Sequence, residues 1–355
     1  MQNIDNPIFS INDLRLCKVP VPEGYPQSQT HVGIAVHGDV FYLTASPYPL
    51  LKYTKIQAHF RNLLQKISRG RLGGYLDADC YENPLLYKAL GREVLPTEFE
   101  LQTPAPLMNQ PIVEHAIVAY NSDPDIFIEN DNVYILNRIY CRKKETQTGQ
   151  IYQHVSIVLI EGILNGEKYI KRDEKVITET NDLFLSPCLI KFDNKYIYTH
   201  IESNSAVDGK SFNGIYLGQV NSIRELENYS DFTKVNIEET DLLPWHMSLF
   251  SHEGVLYTII TCAEGNTKGN RYVPLKQYLG KFDVDSRIMH IYRRPLIALN
   301  SYRGSACVLS NGLFILYSTT VNEKINGANS IDGRDIVMTY MMFSDLLNML
   351  EDEKR

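Results

Sequence analysis

Tryptophan is all but missing from this chain, with the single residue Trp245 set against 23 Tyr and 13 Phe. No stretch approaches the roughly 18 consecutive apolar residues that a membrane-spanning helix needs, so a membrane partner is not expected. A basic block is lacking too, and the net charge of -7 offers little to a phosphate backbone, which argues against a nucleic-acid partner. The six cysteines, Cys17, Cys80, Cys141, Cys188, Cys262 and Cys307, show no C-x-x-C spacing. Several sit in apolar runs, where a free thiol acts as a small hydrophobe, so they read as reduced and structural. No H-E-x-x-H pattern occurs, and neither a bound metal nor any other cofactor is expected. The N-terminal MQNIDNPIFSINDLRLCK has no basic stretch leading into an apolar core, so no secretory signal is seen and a cytoplasmic location is expected. Linker-like or low-complexity composition is also absent, which points to residues 1–355 forming a single domain.

What the chain does have is the composition of a globular protein, 44% hydrophobic and 22% charged. Its tyrosines suit strands, because a large ring packs on a pleated surface while the hydroxyl reaches water or ligand. One pattern recurs five times: an entry residue, an apolar run, a turn of Gly, Asn or Asp, and an aromatic-rich run. The copies are HVGIAVHGDVFYLTAS from His31, PDIFIENDNVYILNR from Pro124, SPCLIKFDNKYIYTH from Ser186, HMSLFSHEGVLYTII from His246 and GSACVLSNGLFILYS from Gly304. After a longer first interval the spacing settles near roughly sixty residues, a repeat signature. HGDV, NDNV, FDNK, HEGV and SNGL are hairpin turns, each placing a residue that tolerates positive φ between two strands. Further strand-like stretches follow each copy, giving about four strands per repeat. The expected fold is all-β, a five-bladed β-propeller. The long first interval holds Tyr53 to Arg71, whose apolar spacing at Ile56, Phe60, Leu63, Leu64 and Ile67 predicts a short helical insertion in blade one. FSDLLNMLEDEKR predicts a short C-terminal helix capped by Ser344.

In a propeller the first strand of each blade lines the central channel, so the entry residues converge on one mouth. They are His31; Asp123 and Asp125 around Pro124; Ser186; Trp245 and His246; and Arg303. Positions that only filled a channel would be small or apolar, whereas this mixture suits a sugar. Carboxylates and Arg bond hydroxyls, and an aromatic ring stacks on a pyranose face.

The ordered set YLTASPYP (Tyr42 to Pro49), YENP (Tyr81 to Pro84), YNSDPDIF (Tyr120 to Phe127), LSPCLIKFDNKYIY (Leu185 to Tyr198), PWHMSLF (Pro244 to Phe250) and YRGSACV (Tyr302 to Val308) resembles five-bladed glycosidase-like propellers. These form the neighbourhood of the arabinanase, xylosidase and exo-sialidase-like proteins. The resemblance implies a glycan bound in the central funnel. The arabinanase-type base Asp of blade one and acid Glu of blade three are replaced by His31 and Ser186, and Ser248 stands where an acidic residue often follows the Trp-His pair.

Glycoside hydrolysis uses two carboxyl groups. The candidates are Asp125, Asp123 and Glu82; on an extended strand the period of two sends both Asp side chains to one face. Glu82 is either the proton donor or, with Asn83, the cap of a turn before Pro84. Asn83, His31, Ser186, Trp245, His246 and Arg303 complete the expected substrate-binding set. Arg303 is suited to bidentate contacts with an acidic group, unless it pairs with Asp125. Two functions follow: a glycoside hydrolase acting on a glycan in the funnel, or a non-catalytic carbohydrate-binding propeller that kept the ring and lost its acid or base.

Overall fold

Each of the five hairpins forms where its turn residues allow it. In the computed structural model Gly38, Asn130, Asp193, Asn194, Glu253, Gly254 and Gly312 all have positive φ, and these are the residues that reverse the chain between the first and second strands of successive blades. The structure describes residues 6–23, 25, 28–48, 60, 63–64, 67, 82–91, 94–103, 105–145, 147–203, 212–227, 229–264, 275–297, 299–321 and 334–351.

Five antiparallel sheets result. Blade one comprises Gln29–His37, Val40–Pro47, Leu85–Leu90 and Glu100–Leu101, and blade two Ala116–Glu129, Asn132–Lys144, Ile151–Asn165 and Lys168–Thr180. Blade three comprises Leu183–Phe192, Lys195–Ser203, Phe212–Val220 and Thr233–Lys234. Blade four has Leu242–His252, Val255–Glu264, Lys276–Asp283 and Ile288–Ile291, with Asn236–Ile237 added in parallel at its edge. Blade five has Asn300–Val308, Leu313–Val321 and Asp335–Met342, and borrows its outer strand, Arg15–Leu16, from the N-terminal part of the chain. The first strands stand side by side in a closed ring, blade five touching blade one. The radial arrangement leaves short outer edges such as Glu100–Leu101, Thr233–Lys234 and Arg15–Leu16. The Arg334 guanidinium, lying 3.6 Å from the ring centre of Tyr48 and 3.5 Å from that of Tyr302, seals the seam between blades five and one.

Apolar layers fill the spaces between blades. Val32, Leu43, Leu85, Tyr87, Ile315 and Tyr317 join blades five and one, and Tyr42, Leu86, Ile126, Val133 and Ile135 join blades one and two. Cys17, Cys141, Cys188 and Cys262 are buried, Cys307 is half-buried, and all five are free thiols; Cys80 lies outside the described residues. Of the predicted helical insertion, Phe60, Leu63, Leu64 and Ile67 are helical, and the remainder lies outside the described residues. The C-terminal helix spans Phe343–Glu351, so Ser344 is inside it and not its cap. Phe343 is drawn in by burial against Phe250, Tyr257 and Phe314. Among the described residues no helix is long and apolar enough to cross a membrane.

One irregularity repeats in every blade. The register of the first strand slips between Thr30 and Gly33, Ser122 and Asp125, Leu185 and Cys188, Pro244 and His246, and Ser301 and Gly304. Such β-bulges insert a residue and re-aim its side chain. In three blades the bulged residue takes left-handed backbone without being glycine: His31 (φ 56), Asp123 (φ 54) and Ser186 (φ 47). That conformation is costly for L-residues and persists only where the surroundings over-determine it, typically at functional sites. The bulge also breaks the period of two, so Asp123 and Asp125 do not share surroundings as the extended reading expects. Gly33 lies just past the first bulge, where an added Cβ would be 2.7 Å from Thr44 Oγ1 and 3.3 Å from the Asp125 Cα, so the close approach of blades one and two requires glycine.

Candidate functional site

The bulges of blades one to four turn their side chains onto one another. His31 Nε2 is 3.2 Å from Asp123 Oδ1, and His31 Nδ1 is 3.2 Å from Glu82 Oε2, so the ring stands between two carboxylates. His246 Nδ1 lies 3.8 Å from the same Asp123 oxygen and 3.0 Å from Ser186 Oγ, and the two imidazole centres are 4.9 Å apart. The Ser186 backbone N–H donates to Asp123 Oδ2 at 3.1 Å. Ser122 Oγ donates to Glu82 Oε2 at 2.6 Å and stands 3.4 Å from Asp123 Oδ1, leaving those two carboxylate oxygens no more than roughly 6 Å apart, short of the spacing of inverting glycosidase pairs. Glu82 has left-handed backbone as well (φ 51). All of these side chains are buried.

One residue that carries no mark in the sequence holds this arrangement. Arg138, on the second strand of blade two, sets its Nε 3.0 Å from Asp123 Oδ2. It pairs across the sheet with Ser122. Burial disfavours the Asp123 carboxylate, but the facing guanidinium of Arg138, with the more distant Arg303, outweighs it and holds the carboxyl well below the ordinary range. Burial pushes His246 the other way, well below the usual imidazole value, so it is neutral. An ionised carboxylate beside a neutral imidazole offers two groups in the protonation states that a metal ion needs.

Asp125 and Arg303 form a separate unit beside the cluster. Arg303 Nη2 donates to Asp125 Oδ1 at 2.8 Å and lies 3.6 Å from Cys188 Sγ, while the Leu189 N–H reaches Asp125 Oδ2 at 3.4 Å. Arg303 is completely buried, and its Nε and Nη1 have no hydrogen-bond partner among the described residues. Burial pushes the Asp125 carboxyl up to about 6 against the pull of Arg303. The ion pair foreseen as one reading of Arg303 is therefore present. Asn83 is buried and hydrogen-bonded to Asn121, and Trp245 is half-buried with its ring edge toward His246 at 6.1 Å.

His31, Asp123 and His246 each offer a ligand atom, and these atoms all lie within 4.8 Å of one another. Donors bound to one divalent ion at 2.0–2.2 Å stand roughly 3–3.5 Å apart, close to the 3.2 and 3.8 Å separations from Asp123. The outer contacts match too, since Glu82 occupies the second nitrogen of His31 and Arg138 the second oxygen of Asp123, as partners of metal ligands commonly do. The donor set therefore fits a divalent cation. Its members come from three different blades, so no local spacing in the sequence reveals it, and the expectation that no metal is bound rested on local spacing alone.

No protein-family model matches the chain, and no curated protein does. Solved structures do resemble it. An N-acetylgalactosamine deacetylase from F. plautii, in complex with blood group B trisaccharide, superimposes with a TM-score of 0.60 at 14% identity, over 96% of this chain and 98% of that one. The native arabinanase of Bacillus subtilis gives 0.53 at 10% identity over 91% and 97% of the two chains, and a β-xylosidase 0.53 at 11% over 93% and 95%. These likenesses show the fold, a five-bladed β-propeller similar to distant glycosidase-type structures.

Proposed function

We propose that this chain is a carbohydrate-active hydrolase that removes an acyl group from a sugar with the help of a divalent cation held by His31, Asp123 and His246. The observation that carries this reading is the meeting of two imidazoles and an ionised carboxylate within 4.8 Å, with Glu82 behind His31 and Arg138 behind Asp123. Cleavage of a glycosidic bond asks instead for two carboxyls free to give and take protons. Here Asp123 is engaged by Arg138 and the Ser186 N–H, and Asp125 by Arg303 and the Leu189 N–H. That the F. plautii propeller is a deacetylase, while others of this shape cut glycosidic bonds, supports choosing between the two on site chemistry.

A divalent cation supplies Lewis-acid activation of water and of an acyl oxygen. The chain's own residues do the rest. Glu82 holds the His31 ring through Nδ1, Arg138 keeps Asp123 ionised, and burial keeps His246 neutral. Water adds to the acyl carbon, the bond from that carbon to the sugar nitrogen or oxygen breaks, and the departing group takes the proton. Trp245, half-buried beside His246, would offer its remaining exposed ring surface to a pyranose face. The Asp125–Arg303 pair acts as a channel strut between blades two and five. The N-terminal strand completing blade five supports treating residues 1–355 as one domain.

The test is product analysis by mass spectrometry on acetylated sugars and on 4-nitrophenyl glycosides, with the full chain either loaded with Mn2+ or stripped by a chelator. Loss of acetyl groups that depends on the cation is expected. Glycoside cleavage that survives the chelator would overturn the proposal in favour of a two-carboxyl mechanism, and saturable glycan binding with no product would leave a binding module.

A further inference from the structure

Both carboxylates of the cluster are held by blade-two residues, and each of those residues follows a buried asparagine. Ser122, which donates to Glu82, follows Asn121; Arg138, which faces Asp123, follows Asn137. The asparagines are joined. Asn137 Nδ2 donates to Asn121 Oδ1 at 2.9 Å, and Asn121 Nδ2 donates to Asn83 Oδ1 at 2.7 Å and to the Asn109 carbonyl at 2.9 Å. Asn83 directly follows Glu82. A row of three amides thus crosses from the second strand of blade two, through its first strand, to the blade-one segment that carries Glu82.

Uncharged amides are suited to such a row, because each offers donors and an acceptor and so can be linked at both ends. Asn121 and Asn137 are completely buried and Asn83 nearly so. Buried polar groups cost stability unless satisfied, and here the links among the amides fix their geometry while Asn137 Oδ1 has no hydrogen-bond partner among the described residues. Glu82 is where a fixed geometry is needed. Its left-handed backbone is unfavourable, and its carboxylate must meet His31 Nδ1 from another part of blade one.

We infer that the Asn83–Asn121–Asn137 row is a positioning device that sets Glu82 against His31 and thereby tunes the affinity of the His31–Asp123–His246 cluster for a divalent cation. The inference rests on the proposed cation-assisted function. Asn121 and Asn83 are positioning residues, since they act through Glu82. Outer partners of metal ligands are worth about 10–100-fold in affinity.

The experiment is calorimetric titration of the full chain with Mn2+ alone, beside a thermal melt of each variant. Glu82→Gln, Asn121→Ala and Asn83→Ala are each expected to bind Mn2+ at least about tenfold more weakly. The double variant Glu82→Gln/Asn83→Ala is expected to bind no more weakly than Glu82→Gln alone, because the amide row works through Glu82. Wild-type Mn2+ affinity in both asparagine variants, or losses that add in the double variant, would overturn the inference while leaving the cation site standing. Failure of the wild type itself to take up Mn2+ would overturn the cation reading and the row's role with it. Should Asn121→Ala not fold, Asn83→Ala, which removes one acceptor next to a loop, carries the test.

Discussion

Replacing Arg138 by Met isolates the charge that governs the cluster. The guanidinium is buried, 3.0 Å from an Asp123 carboxylate with 0% exposure. Met keeps much of the apolar stem and removes the countercharge. Breaking a buried pair by deleting one partner costs about 3–5 kcal/mol, because the other charge stays buried and unpaired. For a chain of this length each kcal/mol moves Tm by roughly 1–2 °C, so Arg138→Met is expected to melt about 4–7 °C below wild type at pH 7 in scanning calorimetry. The pH dependence gives a second check. In the folded chain the Asp123 pKa is depressed, burial being outweighed above all by Arg138. A carboxyl of that kind adds stability above its unfolded pKa, near 4, and loses it as pH falls through the folded value. Wild type therefore keeps the contribution from about pH 5 upward, whereas the variant, with burial no longer opposed by Arg138, lacks it. The gap between the two should be widest at neutral pH and shrink below about pH 4. A gap unchanged between pH 3 and 7, or a Tm within 1 °C or so of wild type, would refute the claim that Arg138 holds Asp123 ionised.

Asp125 should behave in the opposite sense. With its folded carboxyl pushed up to about 6 by burial, it holds a proton between roughly pH 4 and 6 that the unfolded chain has lost, so its contribution declines as pH rises through that window. Asp125→Asn does not titrate there and should gain on wild type by up to about 3 kcal/mol between pH 4 and 7, measured by denaturant unfolding; a difference that stays constant or moves the other way counts against this pKa. Gly33→Ala should cost about 1–3 kcal/mol, since its Cβ would meet Thr44 Oγ1 at 2.7 Å and the blade-two backbone at 3.3 Å, and the additional substitution Thr44→Ala should recover part of it. Unaltered thermal stability of Gly33→Ala would show that the seam between blades one and two has room to spare.

The ring was readable because its unit is local. A hairpin announces itself within fifteen or so residues through alternation and a turn such as HGDV or SNGL, and five copies in register imply a closed array without any knowledge of long-range contacts. The entry positions His31, Asp123, Asp125, Ser186, Trp245, His246 and Arg303 were readable for the same reason, since equivalent positions of a repeat occupy equivalent places, but the repeat did not tell Asp123 from Asp125. What local pattern could not carry is whatever depends on how one blade meets another. Asp123 and Asp125 look like a matched pair in YNSDPDIF, yet a bulge inserted between Ser122 and Asp125 hands one to Arg138 and the histidines and the other to Arg303. Nothing near Arg138 or Asn137 in RIYCRKK or YILNR marks them as more than a polar end to a strand. Their roles come from the register, since Arg138 lies across from Ser122 and Asn137 falls opposite the bulge between Ser122 and Asp125. The fourth strand of blade five illustrates the same limit, because Arg15 and Leu16 find their partners Met338 and Val337 only once the ring has closed. In a propeller, then, the repeat dictates where side chains arrive, and the departures from the repeat, here bulges at non-glycine residues and an amide row across two blades, decide what those side chains do when they meet.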